Sequence, residues 1–241
     1  MRLACVFAHP DDETFAMGGT VAKLAAGNVR IDLFCATDGD AGKNSGIPVS
    51  SRAELATRRR SELAAAAQIL GIASLSTPGH GDGMLRDVDP DRLVGEIVYF
   101  LRRHRPDVVL TFGPEGAPTQ HRDHRAISRA ATAAYFLAAL PTEYADQIRE
   151  VEPHRAARLY YCAWEPPTPG RELMTLSLTA TCCVDVAAYL ETKRAAFLAH
   201  ATQRQHYAQF EALAMRPTEH FALGAGTPQP RSVTDDVFDG L

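Results

Sequence analysis

The run Leu3-Ala4-Cys5-Val6-Phe7-Ala8, followed directly by His9-Pro10-Asp11-Asp12-Glu13, decides how the chain folds. The first stretch has the length of one strand. A continuous apolar run, rather than an alternating one, belongs to a strand covered on both faces. A helical pattern follows over about Phe15 to Ala26 and stops at Gly27-Asn28. The same grammar then repeats. Val29 to Ala36 reads as a strand and Arg52 to Leu70 as a helix stopped by Gly71. Ala73 to Ser76 is a short strand, Asp91 to His104 a helix broken by Pro106, and Val108 to Phe112 a fourth strand. Strands alternating with helices pair in parallel through right-handed crossovers. The expected fold class is therefore α/β, a Rossmann-like three-layer sandwich with a mostly parallel sheet.

Further along, a helix is expected over Arg122 to Ala139, strands over Leu159 to Ala163 and Ala180 to Val186, and one long helix over Ala188 to Leu213. Glu165 to Gly170, with three prolines, reads as a loop. Residues after about 224 are rich in Gly, Pro and Asp and read as an extended or frayed tail.

The 241 residues carry 25 Lys plus Arg against 29 Asp plus Glu, a net charge of -4, which leaves no electrostatic footprint for nucleic acid. No apolar run reaches the length of a membrane span. The opening residues read as a buried strand rather than a signal peptide, because charge interrupts them by Asp11. Five cysteines form no C-x-x-C pair, and Cys5 and Cys35 lie inside apolar runs, so buried free thiols in a reducing, cytoplasmic compartment are expected. No glycine-rich fingerprint follows the first strand, which argues against a dinucleotide cofactor.

In open α/β sheets, function gathers where strands end and helices begin. Two such ends hold nearly all the candidate ligands: His9 to Glu13 after the first strand, and His121-Arg122-Asp123-His124 after the fourth. Pro10 biases His9 toward an extended backbone at the strand tip. His121 and His124, three apart at a helix start, lie on one face and can address one point. His9, Asp12 and His124 then make three N/O ligands with an open position, the arrangement of a catalytic zinc site. Asp11 is the candidate general base, and His121 could stabilise an oxyanion or protonate a leaving group. Asp123 suits the role of holding an imidazole in one tautomer. Taken singly, each piece has a plainer reading. Asp11-Asp12 also suits a helix N-cap, and an H-x-x-H pair also suits an exposed helix face.

AHPDDE at the end of the first strand, with HRDH downstream, resembles the LmbE-like (PIG-L) family of zinc-dependent N-acetylglucosamine deacetylases. Thr37 to Gly42, Arg59 to Leu63, Asp82-Gly83-Met84-Leu85 and His200-Ala201-Thr202-Gln203 are similar to further motifs of that family, so the likeness spans about residues 3 to 203. The resemblance implies one such domain over residues 1–241, with His9, Asp12 and His124 as metal ligands and Asp11 as general base. His121 would polarise the tetrahedral intermediate, with Asp123 orienting it. Arg59, Asp40 and Asp82 would contact substrate. The implied cofactor is Zn2+, although two histidines and one aspartate also suit Fe2+, Mn2+ or Co2+. The implied partner is a small-molecule amino-sugar, with no nucleic acid and no membrane. Because proteins of the family form assemblies, a homo-oligomer is compatible with the likeness. The mycothiol-pathway branch has a tyrosine two residues before the first histidine of H-x-D-H, where this chain has Thr119.

The expected activity is removal of an N-acetyl group from an N-acetylglucosamine conjugate by a metal-activated water. A hydrolase of another small amide or ester, or a non-catalytic small-molecule-binding module, would suit the same fold.

Overall fold

A computed structural model describes residues 1–164 and 178–241; the proline-rich loop expected over Glu165 to Gly170 lies outside them. The strands are β1 (Arg2–Phe7), β2 (Arg30–Cys35), β3 (Ser74–Ser76), β4 (Val108–Phe112), β5 (Arg158–Ala163), β6 (Cys182–Asp185) and β7 (Thr218–Gly226). The helices are α1 (Asp12–Ala26), α2 (Arg52–Leu70), α3 (Pro90–His104), α4 (Arg122–Leu137), α5 (Leu190–Ala199) and α6 (Tyr207–Leu213). All seven strands form one sheet in the order β3-β2-β1-β4-β5-β7-β6. β1 to β5 run parallel, whereas β7 lies antiparallel between β5 and β6. α1, α2 and α5 pack together, as do α3 and α4, giving the expected α/β three-layer arrangement.

The continuous apolar strands are buried as their pattern requires: Leu3 to Phe7 and Val108 to Leu110 are fully inaccessible. α2 starts on an Ser51 side chain that accepts the Glu54 N–H and ends at Gly71, which takes the left-handed conformation (φ 77°). At Gly19 of α1 the packing is close: an added Cβ would lie 2.6 Å from the Cβ of Val186, the residue just past β6. α1 is kinked at Met17, and the N–H groups of Gly19 and Thr20 donate to the buried Glu219 carboxylate of β7 (3.0 and 2.7 Å). Lys193 of α5 balances that carboxylate from 2.6 Å.

Three expectations need correction. The long helix expected over Ala188 to Leu213 is broken at His200 (ψ 67°) into α5, a 3-10 stretch over Ala201–His206, and α6. Tertiary hydrogen bonds compete with the helix there, since Glu62 of α2 takes both the N–H and the hydroxyl of Thr202 (3.0 and 2.6 Å). α1 begins at Asp12 rather than near Phe15. The residues expected as a loose tail contain the end of β7 and then fold back. Val237 and Phe238 are buried, and the buried Arg158 guanidinium binds the carbonyls of Thr227, Pro228 and Val237. No helix among the described residues is long and apolar enough to cross a membrane. All five cysteines are free thiols, and four are buried.

His104, at the C-terminal end of α3, faces the buried Asp32 carboxylate at 3.2 Å. Burial pushes Asp32 up, but hydrogen bonds from His104, Ser74 and Arg30 outweigh it and hold the carboxyl at about 2. A carboxyl lowered on folding stabilises the fold above its unfolded value, and that contribution is lost as pH falls toward the folded value. Asp32→Asn is therefore expected to cost about 2 kcal/mol at pH 7, from the shift of the carboxyl pKa. The gap to the parent should close between about pH 4 and pH 2, as read by urea unfolding across that range.

Candidate active site

The strand order reverses direction between β1 and β4, which makes their C-terminal ends the switch point where a crevice opens. His9 to Asp12 leave β1 there, and the loop after β4 with the first turn of α4 brings Thr119, His121 and His124 to the same place. A cleft of about 270 Å³ lies over them.

Its floor holds three imidazoles. Ring centroids are 4.9 Å apart for His9 and His121, and 5.3 Å for both His9–His124 and His121–His124. One donor atom from each of the three lies within 4.8 Å of the others. Asp12 joins them: its carboxylate is 3.3 Å from His124 Nε2 and 3.5 Å from His9 Nδ1. The same carboxylate accepts the N–H groups of Ala8 (3.2 Å) and His9 (2.8 Å), which fixes it against the strand end. His124 stacks on Phe112 (4.0 Å, 13°), and its Nδ1 lies 3.4 Å from the Thr119 hydroxyl. Ligand bonds of about 2.0–2.2 Å set ligand atoms a few ångströms apart, so imidazoles and a carboxylate at these separations fit one divalent ion.

The neighbours of each group set the direction of its titration. Burial disfavours the His9 cation, yet Asp12, Asp123 and Asp82 together push its pKa well above the ordinary range. Burial likewise opposes ionisation of Asp12, but His124 and His9 hold its carboxyl far below the usual range. Burial and the neighbouring His9 and His124 lower His121. His121 Nδ1 accepts the N–H of Asp123 (3.2 Å) at the start of α4. That assigns the lone pair to Nδ1 and leaves Nε2–H as a donor.

The carboxylates differ in what they do. Asp123, fully buried, was expected to orient His121, but it meets His9 instead, its Oδ2 3.3 Å from Nε2. It also accepts the N–H groups of Gly83 (2.7 Å) and Leu85 (3.2 Å), pinning the turn that carries Asp82. Asp82 lines the cleft with Oδ1 3.1 Å from His9 Nε2. Asp40 does not line the cleft: it accepts from Arg52 (2.8 Å) and from the N–H of Asp82 (2.9 Å), so it supports the turn from behind. Asp11 sits at the N-cap position of α1 but makes no capping hydrogen bond, and its backbone is left-handed (φ 108°). Its carboxylate lines the cleft. Burial, opposed by Arg59 and aided by Asp12, raises the Asp11 carboxyl to about 6. Arg59, 3.6 Å from that carboxylate, is buried and donates to the carbonyls of Gly39 (2.9 Å) and Pro10.

The remaining lining was not legible in advance, apart from Gln203 in the His200 to Gln203 motif. Phe15 and Trp164 contribute rings 6.1 Å apart, and Gln203, His206 and Gln209 add polar groups. Gln203 and His206, three apart, align along the 3-10 stretch, and Gln209 follows on α6.

The sequence profile of the family described as GlcNAc-PI de-N-acetylase (PIG-L) matches residues 4–135. A 1D-myo-inositol 2-acetamido-2-deoxy-alpha-D-glucopyranoside deacetylase of Rhodococcus jostii is 31% identical over 291 residues, covering 100% of this chain and 98% of that protein. Among solved structures, the N,N'-diacetylchitobiose deacetylase of Pyrococcus horikoshii superposes with a TM-score of 0.75 at 23% identity, over 92% of this chain and 83% of that one. A 4-carboxy-2-hydroxymuconate hydratase of Pseudomonas putida reaches 0.71 at 21% identity, over 96% and 99%. At such identities the superpositions speak for the fold alone. The hydratase shows that this fold also carries other chemistry. The chain belongs to the PIG-L family of metal-dependent deacetylases, and it is an enzyme of that hydrolase class.

Because Asp123 accepts two backbone N–H groups, one buried and one half-buried, Asp123→Ala is expected to cost about 2–6 kcal/mol of unfolding free energy, at about 1–3 kcal/mol per unsatisfied group. Thermal or urea unfolding of the two proteins checks it.

Proposed function

We propose that the protein removes the N-acetyl group from an N-acetylglucosamine-type conjugate, with zinc as the bound metal, in the cytoplasm. One observation carries the reading: Asp11 forgoes capping its own helix and turns its carboxylate into the cleft beside the His9, Asp12 and His124 cluster. The Rhodococcus relative, matched over its whole length, supports an amino-sugar amide as substrate.

In this reading His9 Nδ1, the Asp12 carboxylate and His124 Nε2 hold the metal. His9 Nε2–H is directed at Asp123 and Asp82, which leaves Nδ1 as its ligating atom. His121 is not a ligand, because its one lone pair already accepts the Asp123 N–H. When bound, the metal supplies a Lewis acid and lowers the pKa of a coordinated water. Asp11 takes a proton from the attacking water and returns it to the departing amine, so water and amide give acetate and free amino-sugar. His121 Nε2–H donates to the oxygen on which negative charge develops. Arg59 fixes the Asp11 carboxylate from behind. Asp82 meets sugar hydroxyls at the cleft edge, and Asp40 acts through the Asp82 turn. Phe15 and Trp164 offer apolar faces to a sugar ring, and Gln203 and Gln209 offer amides to its hydroxyls.

The test is amine release from a panel of N-acetylglucosamine conjugates. Metal-free protein should be inactive and zinc should restore it. Asp11→Asn should keep the metal and lose about 10²–10⁴-fold in kcat, and His121→Ala about 10²–10³-fold. Turnover surviving in Asp11→Asn would sink the assignment of the base. Metal binding without amine release from any sugar would move the substrate to another small amide or ester.

A further inference from the structure

Asp11 occupies a backbone conformation that its side chain does not favour, and the structure contains the device that keeps it there. Aspartate at the first position of a helix ordinarily takes an extended backbone and caps the helix with its own carboxylate. Here Asp11 has φ 108° and ψ −23°, in the left-handed region that a non-glycine residue enters only under constraint. The constraint is Glu13. Its Oε2 accepts the Asp11 N–H (3.1 Å), and its Oε1 accepts the Thr14 hydroxyl (2.7 Å).

Glu13 is fully buried and is not among the residues that line the cleft. Its remaining partner is His200, also fully buried, whose Nε2 lies 2.9 Å from Glu13 Oε1. The other ring nitrogen of His200 has no hydrogen-bond partner among the described residues. A buried imidazole with one bonded nitrogen is costly to keep, and the bond to Glu13 is what it secures. The backbone agrees, because α5 ends at His200 and the chain leaves helical geometry there.

We propose that Glu13 and His200 are positioning residues for Asp11. His200 holds the Glu13 carboxylate, Glu13 holds the Asp11 N–H, and the resulting backbone prevents Asp11 from turning back to cap α1. The inference rests on the reading of Asp11 as the base.

The experiment measures kcat, KM and bound zinc for Glu13→Ala, Glu13→Gln, His200→Leu and His200→Gln, each with Asp11 intact and in an Asp11→Asn background. Loss of the clamp should lower kcat about tenfold to a hundredfold in Glu13→Ala and His200→Leu, as misplacement of a reacting group does. KM and zinc stoichiometry should stay at the parent values. Glu13→Gln and His200→Gln, which keep an acceptor and a donor, should recover much of the loss. In the Asp11→Asn background the same changes should cost nothing further. Parent-like kcat in Glu13→Ala, losses that multiply with Asp11→Asn, or zinc lost in step with activity would each overturn the positioning role. Turnover surviving in Asp11→Asn alone would overturn the assigned base instead, so the two failures are separable.

Discussion

The parallel pairing of β1 with β4 is the constraint on which the rest depends. Leu3 to Val6 lie beside Val108 to Thr111, so both strands deliver their following segments to one end of the sheet. Residues more than a hundred positions apart in the chain therefore meet without any long loop reaching across. The apolar character of the two strands fixes this. Both are inaccessible on both faces, and a shift of register would expose side chains that have no other place to go. The chemistry is thus positioned by the least polar part of the molecule.

What assembles at that end is a concentration of titratable groups, each held in place by the chain. Three imidazoles and the carboxylates of Asp12, Asp82 and Asp123 share one small volume, and each is held by backbone donors or by a neighbour. Backbone N–H groups from Ala8, His9, Gly83 and Leu85 orient two of the carboxylates. Such a shell leaves little to rearrange when a divalent cation binds, which is the value of preorganisation.

Much of this was legible in the sequence, and the exceptions have physical reasons. The parallel strands and their helices were readable because most of the strands are continuous apolar runs and the helices between them end at clear stop residues. β7 was not, since Glu219 occupies a buried position in it and breaks the alternation. The break at His200 carries no glycine or proline; just beyond it Glu62, distant in sequence, takes the N–H and hydroxyl of Thr202. The same holds at the site. His9, Asp11, Asp12, His121 and His124 announce themselves by clustering at strand ends. The wall of Phe15, Trp164, Gln203, His206 and Gln209 is assembled from three separate segments. Asp123 shows how residue type can be read without its partner: a carboxylate beside histidines was evident, but which histidine it faces depends on the turn at Gly83.

Arg158 gives the last fifteen residues a weight that their composition hides. Its guanidinium, sealed at the start of β5, finds acceptors in the carbonyls of Thr227, Pro228 and Val237. Removing those residues would take all three acceptors from a permanent cation at the start of β5. The C-terminal segment is thus the counterpart of a buried charge, and shortening it would act on the middle of the sheet rather than on its surface.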